Sequence, residues 1–364
     1  MKPGLTTLQA DLPAQSADRA SLATEYNRFV FRRLLWLGLF LAMLAASVII
    51  NVMTGSAGLD MMTVITGILD PSSLDRTTQV IIWEVRLPFA ILAVVVGACL
   101  GLAGGEMQTV LNNPLASPST LGVMHAAALG GSLAIVFSLG SGVVPEAYVI
   151  PFCAFIGAML AIFCILGLSR MFGSALDTVV LFGIAMVFAL DALISLIQFV
   201  ADSDSLQQIV FWTMGSLARA TWEKIGIVGT VLAVCLPFSI FQVWQMTALR
   251  GGEEYARSYG MAVDRLRYTV LFRVSLLTAA AIAFTGVIGF IGLIGPHIAR
   301  MAFGEDHRFY LPGCALAGGF ILSSASIISK TIVPGILVPD GIVTALIGIP
   351  LFMGLLMSRR RKAS

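Results

Sequence analysis

Charge is what this chain is short of. Only 12% of its 364 residues are Asp, Glu, Lys or Arg, and 22 basic against 20 acidic side chains leave a formal net charge of +2. A soluble domain carries roughly a quarter of its residues charged, so a water-solvated globule is excluded. The small net charge gives no footing for a nucleic-acid partner. Cysteine is sparse too: Cys99, Cys153, Cys164, Cys235 and Cys314 all lie in apolar runs without C-x-x-C spacing. That pattern supports neither a metal site nor a disulfide framework; the five read as small buried hydrophobes. The sequence has no GxxxxGK[ST] phosphate loop, no HExxH and no GxSxG elbow. No catalytic residue and no cofactor site is therefore assigned. If ATP drives this protein, another polypeptide binds it.

What the chain has is grease and glycine: 58% hydrophobic residues, a mean hydropathy of +0.93 and 36 glycines. A spanning helix takes about 20 mostly apolar residues. Seven runs qualify outright: 34–53, 87–108, 147–169, 178–200, 225–249, 270–288 and 341–357. Three more, near 117–139, 289–303 and 310–331, are interrupted by Gly, Pro or polar residues. The expectation is an all-α polytopic membrane protein of about ten transmembrane helices, spanning 34–358. Residues 1–33 are polar and lack a signal-peptide core; they read as a disordered tail. Residues 359–364 form a short basic tail.

An even number of crossings puts both termini on one side. Seventeen of the 22 Lys and Arg residues then fall there, including Arg32, Arg33, Arg250, Arg257, Arg267, Arg300 and Arg359. The other face holds five: Arg76, Arg86, Arg219, Lys224 and Lys330. The positive-inside rule makes the first side cytoplasmic.

Runs such as GACLGLAGG (97–105) and GVIGFIGLIGP (286–296) let helices approach closely. Pro114, Pro118, Pro296, Pro334 and Pro339 put irregular backbone near membrane depth, tolerated only inside protein or beside a cavity. That favours a transport path over a passive anchor. The segment GGEEYARSYGMAVDRLRY (251–268) interrupts the apolar pattern with a charged, helix-forming insert. Its acids precede its bases, in agreement with the helix dipole, and Gly260 divides it. It reads as a docking surface for a cytoplasmic partner, or as an ordinary solvated loop.

The insert GEEYARSYGMAVDRLR (252–267) resembles the coupling segment in membrane subunits of binding-protein-dependent ABC importers, nearest to the iron-siderophore, haem and cobalamin permeases of FecCD type. The stretches RLPFAILAVVVGACLGLAGGEMQ (86–108), NPLASPSTLGV (113–123), GFIGLIGPHIAR (289–300), DHRFYLPGCALAGG (306–319) and GIVTALIGIPLF (341–352) agree in the same order. The resemblance implies the type II ABC importer permease fold, with the coupling segment at 250–267. It implies a dimer with an identical or related second permease chain, two cytoplasmic ATPase subunits holding ATP and Mg, and an extracytoplasmic substrate-binding protein.

Residue by residue, it implies ATPase coupling through Glu253, Glu254, Ala256, Arg257 and Gly260. Arg86 and Lys330 fall at positions where basic side chains meet the binding protein; the alternative is interfacial snorkelling. Asn113, Pro114 and Leu115, with Leu176 and Asp177, match gate segments. Glu106, His125 and Asp191 stand where apolar or small residues are usual. A charge at mid-bilayer costs about 2.5–3.5 kcal/mol, so some of these three line the translocation path, or they pair with one another or hydrogen-bond across helices.

The reading is a permease, not an enzyme, carrying an iron chelate such as a ferric siderophore across a bacterial cell (inner) membrane. A cobalamin or haem importer differs only in cargo. A proton-coupled secondary transporter using Glu106 and Asp191 is the rival of another class.

Overall fold

The computed structural model of the protein describes residues 11–55, 58–140, 143–172 and 176–363, with side chains except at 11–21, 23, 169–170, 172–178 and 355–363. Among the described residues there are helices, turns and loops, and no strand. In chain order the helices are α1 (Asp11–Met53), α2 (Met61–Leu69), α3 (Arg76–Val80), α4 (Leu87–Val110), α5 (Val123–Val136), α6 (Glu146–Phe172), α7 (Leu176–Val200), α8 (Ser203–Thr213), α9 (Trp222–Phe241), α10 (Val243–Arg250), α11 (Glu253–Ser258), α12 (Val263–Thr285), α13 (Ile291–Phe303), α14 (His307–Thr331) and α15 (Asp340–Ala363). A widened turn at 81–86 joins α3 to α4.

Seven segments are long and apolar enough to cross a membrane, on α1, α4, α6, α7, α9, α12 and α14. α5 and the Asp340–Gly354 part of α15 are shorter apolar stretches, and α13 lies where the last of the expected ten falls. At 1.5 Å per residue the 13 residues of α13 reach about 20 Å, short of the roughly 30 Å hydrocarbon core.

Three boundaries differ from the sequence expectation. α1 starts at Asp11, so much of the segment read as a disordered tail is helical. Its inner part is tied down: Arg33 Nη1 donates to the Ala302 carbonyl at 2.5 Å and Arg308 Nη1 to the Tyr26 hydroxyl at 3.0 Å. The run 225–249 is two helices, α9 and α10, broken at Gln242 (φ −95°, ψ 5°). The span expected at 270–288 begins at Val263, because the second half of the charged insert is its first turn.

The centre of the fold is α4, packed against α14, α12 and α13. Missing side chains allow this. A Cβ on Gly97 would stand 2.4 Å from the Gly318 carbonyl oxygen, and one on Gly101 2.2 Å from that of Cys314. One on Gly104 would stand 1.9 Å from the Gly292 oxygen, so these helices touch backbone to backbone. α5 and α6 meet the same way at Gly130 and Gly157. α7 and α9 lie at the margin, their apolar faces largely exposed.

Candidate functional site

The charged insert folds as a knob on one end of the bundle. Gly252 (φ +117°) starts α11 and Gly260 (φ +76°) follows it, both in backbone conformations that favour glycine. Ala256 is fully buried against the core, so α11 sits on the protein by its one small side chain. Arg257 Nη2 lies 2.8 Å from Glu253 Oε1 and 3.1 Å from Asp264 Oδ2. Arg267, only 2% exposed, reaches Glu253 Oε2 at 3.1 Å from beneath. These bonds, with Arg257 first, hold the Glu253 carboxyl below its ordinary value. Glu254, Tyr255, Arg257 and Tyr259 face outward, the two tyrosine rings 4.8 Å apart. The result is a rigid ledge with aromatic and charged groups in solvent.

The turn after α4 lies beside this ledge. Asn113 Oδ1 accepts from the Leu115 N–H at 2.9 Å, shaping the Asn113-Pro114-Leu115 turn, and Leu115 is exposed. Arg250 joins the two features: its Nη1 donates to Asn112 Oδ1 at 2.9 Å, and its Nε and Nη2 clamp Glu305 at 3.1 and 2.8 Å. Glu305 also pairs with Arg300 at 3.1 Å. The cations at this end of the bundle are therefore largely matched by acids. The side chains of Leu176 and Asp177, expected at a gate, lie outside the described residues.

At the opposite end Arg86 and Lys330 are turned inward. Arg86, 6% exposed, donates through Nη1 to the carbonyls of Val52 and Met53 at 2.9 and 3.0 Å, capping α1. Lys330 donates to the Asn51 carbonyl and side chain at 3.0 and 2.6 Å and sits 4.2 Å from the Phe89 ring centroid. Both charges bond the end of α1. The same end holds Asp340, wholly buried, whose Oδ2 accepts from the Leu217 N–H at 2.8 Å and ties the loop after α8 to the start of α15.

Of the three intramembrane residues read as lining the path or as bonded across helices, Glu106 is bonded across helices. Its carboxylate is wholly buried and bound by Arg273, with Nη2 to Oε1 at 2.7 Å. It faces the α4–α12 contact, where the Arg273 guanidinium supplies the partner that an intramembrane acid needs. His125 and Asp191 do come together across α5 and α7, Nε2 to Oδ1 at 3.6 Å, with side chains 30% and 53% exposed. They form a polar spot on an otherwise apolar face that includes Phe188 and Leu196. Among the described residues no group of three or more His, Cys, Asp or Glu side chains could hold a metal ion.

Comparison with known proteins agrees with this architecture. The pattern described as the FecCD transport family matches residues 43–358. The ABC transporter permease protein MJ0087 of Methanocaldococcus jannaschii is 38% identical over 291 residues, 78% of this chain and 83% of that protein. The hemin transport system permease protein HmuU of Yersinia pestis is 36% identical over 284 residues, 78% of this chain and 85% of its own. The vitamin B12 import system permease BtuC of Klebsiella pneumoniae and the Fe(3+)-citrate import system permease YfmE of Bacillus subtilis match at 34% and 33%. Among solved structures, an inward-facing metal-chelate type ABC transporter superposes with a TM-score of 0.78 at 30% identity, covering 88% of this chain and 98% of that one.

Proposed function

The chain belongs to the FecCD transport family, and from that membership we propose that it is the permease subunit through which an ABC importer passes a ferric chelate of the siderophore class. The observation that carries the coupling half of this reading is the α11 knob. An exposed helix seated by Ala256 and braced by Arg257, Arg267 and Asp264 is built to receive force without bending. A cytoplasmic ATPase subunit would press there, on each of two paired permease chains, identical or related. The end that carries the knob faces the cytoplasm, as the positive-inside count requires, and the membrane is a bacterial cell (inner) membrane.

Movement at the knob passes along α10 to the break at Gln242. There Arg273 Nη1 holds the Gln242 Oε1 at 2.9 Å and its Nε and Nη2 hold Glu106 on α4. Pressure at α11 thus tilts α10 about a fixed point on the central helix, a hinge of the kind that turns nucleotide closure into alternating access. The adjacent Asn113–Leu115 turn is placed to open or narrow the inner exit. His125 and Asp191 line the path at mid-depth, where a half-exposed acid on an apolar helix needs water, cargo or a second chain beside it. A binding protein delivers cargo at the other end.

The hemin, Fe(3+)-citrate and metal-chelate relatives support an iron-chelate cargo, and the vitamin B12 permeases among the relatives make cobalamin its rival. The test is uptake by inner-membrane vesicles energised with ATP, offered a ferric siderophore, haem and cobalamin in turn. ATP-dependent accumulation of the siderophore, insensitive to a protonophore, is the expected result. Uptake that follows the proton gradient and survives ATP depletion would replace the model with ion coupling. Uptake of cobalamin alone would overturn the cargo.

A further inference from the structure

On the outer end of the bundle, a polar crevice opens among α6, α8, the loop before α9 and the end of α12, lined by Glu146, Gln208, Trp212, Arg219 and Lys224. Its two cations differ from those of the coupling end. Lys224 gives one of its three donors to the Arg219 carbonyl at 2.5 Å. Among the described residues, no carboxylate closes an ion pair with either side chain. The acids nearby in sequence are otherwise placed: Glu223 accepts from the Tyr148 hydroxyl at 3.2 Å, and Glu146 stands in the crevice beside the cations.

The crevice continues into an apolar groove between α6, α9 and α12. The two share Pro151, Ala283 and Phe284, and the groove runs on past Phe155, Val231 and Leu276. From Tyr148 to Phe155 it follows α6 for about 10 Å, away from the crevice and toward the bilayer centre. The depth is marked independently. Trp83 and Trp222, whose rings lie 6.2 Å apart, and Tyr148 gather at this end, where amphipathic rings sit at the headgroup level.

We propose that crevice and groove together bind one phospholipid of the outer leaflet, with an amine-bearing headgroup. The phosphate sits on Arg219 and Lys224, the headgroup ammonium on Glu146, and an acyl chain lies in the groove. Charge and shape agree: two cations match the phosphate, one acid matches the amine, and the apolar channel leads from that point into the hydrocarbon. An acidic protein partner would satisfy the cations but leave the groove bare. A glycerol headgroup would leave Glu146 without a counter-charge. The inference needs only that the chain spans a membrane, so it stands apart from the choice of cargo.

The test is native mass spectrometry of the purified permease complex in mild detergent, incubated with palmitoyl-oleoyl phosphatidylethanolamine or phosphatidylglycerol. Wild type is expected to retain one phosphatidylethanolamine per permease chain in preference to phosphatidylglycerol. The R219Q/K224Q double variant should retain either lipid roughly tenfold less, and E146Q should keep a lipid but lose the preference. In parallel, phosphatidylethanolamine with a brominated acyl chain should quench the fluorescence of Trp212 and Trp222. Val231→Trp, which fills the groove without touching the cations, should abolish retention. Equal retention of both lipids by wild type, or undiminished retention by R219Q/K224Q or Val231→Trp, would overturn the proposal. So would a double variant whose only defect is a lost protein partner.

Discussion

Arg273 grips Glu106 with two nitrogens at once. Nε lies 3.0 and 2.9 Å from the two carboxylate oxygens and Nη2 lies 2.7 Å from Oε1, with both side chains out of solvent. Such a pair is more a constraint than a source of stability, because the attraction must first offset the loss of two hydration shells. Removing either partner leaves an uncompensated charge and is expected to cost about 3–5 kcal/mol, whereas Glu106→Leu with Arg273→Met should be near neutral. Thermal unfolding of the two single variants and the double variant measures this. A double variant no better than the singles would show that the two charges are not coupled.

The acid limb of the knob follows from Glu253. Its carboxyl is held below the ordinary value of 4.5, first by the bond from Arg257. A depressed acid contributes stability above its unfolded value and loses it as the pH falls through the folded one. Protection factors for the amides of 253–258, which remove the intrinsic pH dependence of exchange, should therefore be flat from neutrality to about pH 5 and fall below that. Arg257→Ala should lower protection at neutrality and shrink the loss on acidification, since the folded value moves back toward the unfolded one; an acid loss of wild-type size would mean that the pair is not holding α11.

Charge reversal at the same place tests coupling. Arg257→Glu sets three acids together and should release the ATPase subunit from the purified complex while the membrane helices stay folded. Co-purification at wild-type stoichiometry would refute a coupling role for the exposed face of α11.

For Arg86 and Lys330, which bond the carbonyls at the end of α1, the expected signature is structural. Arg86→Ala strips a buried donor from two carbonyls and should lower stability by about 1–3 kcal/mol. The remaining folded protein should take up cargo with an unaltered salt dependence. A change in salt dependence without a change in unfolding temperature would return Arg86 to the docking surface.

His125 and Asp191 should act on cargo. Asp191→Leu is expected to lower chelate uptake on the order of tenfold while leaving ATPase co-purification and unfolding temperature as they were. Unaltered uptake in both Asp191→Leu and His125→Phe would remove the pair from the path.

Much of this was legible in the sequence because lipid imposes long apolar runs, and glycine spacing announces close helix contacts. The insert was visible as charge between two such runs. What escaped were relationships between distant residues. Nothing in the chain marks Arg273 as the partner of Glu106, 167 positions away, so an acid bonded across helices and an acid facing a cavity read alike. The break at Gln242 is silent because hydropathy continues across it; only the polar side chain, bonded to Arg273 and Thr269, shows where the helix yields. Arg86 and Lys330 were legible as cations at one end of the bundle, but their direction depends on the carbonyls that close α1. The helical start at Asp11 was hidden by a polar composition that suits both a coil and a helix leaving the membrane.

The glycine contacts between α4 and its neighbours reach beyond packing. With the Gly104 Cβ position 1.9 Å from the Gly292 oxygen and the Gly97 position 2.4 Å from that of Gly318, even alanine has no place there, while Gly38 on α1 has nothing within 4 Å. A single-step change at the seam meets another chain segment's main chain, which cannot rotate aside. Tolerated change must therefore fall on α7, α9 and the turns at the two ends, where exposed side chains can vary independently. The central helix offers selection almost nothing to choose from, and the margins are where a descendant of this protein can become a different importer.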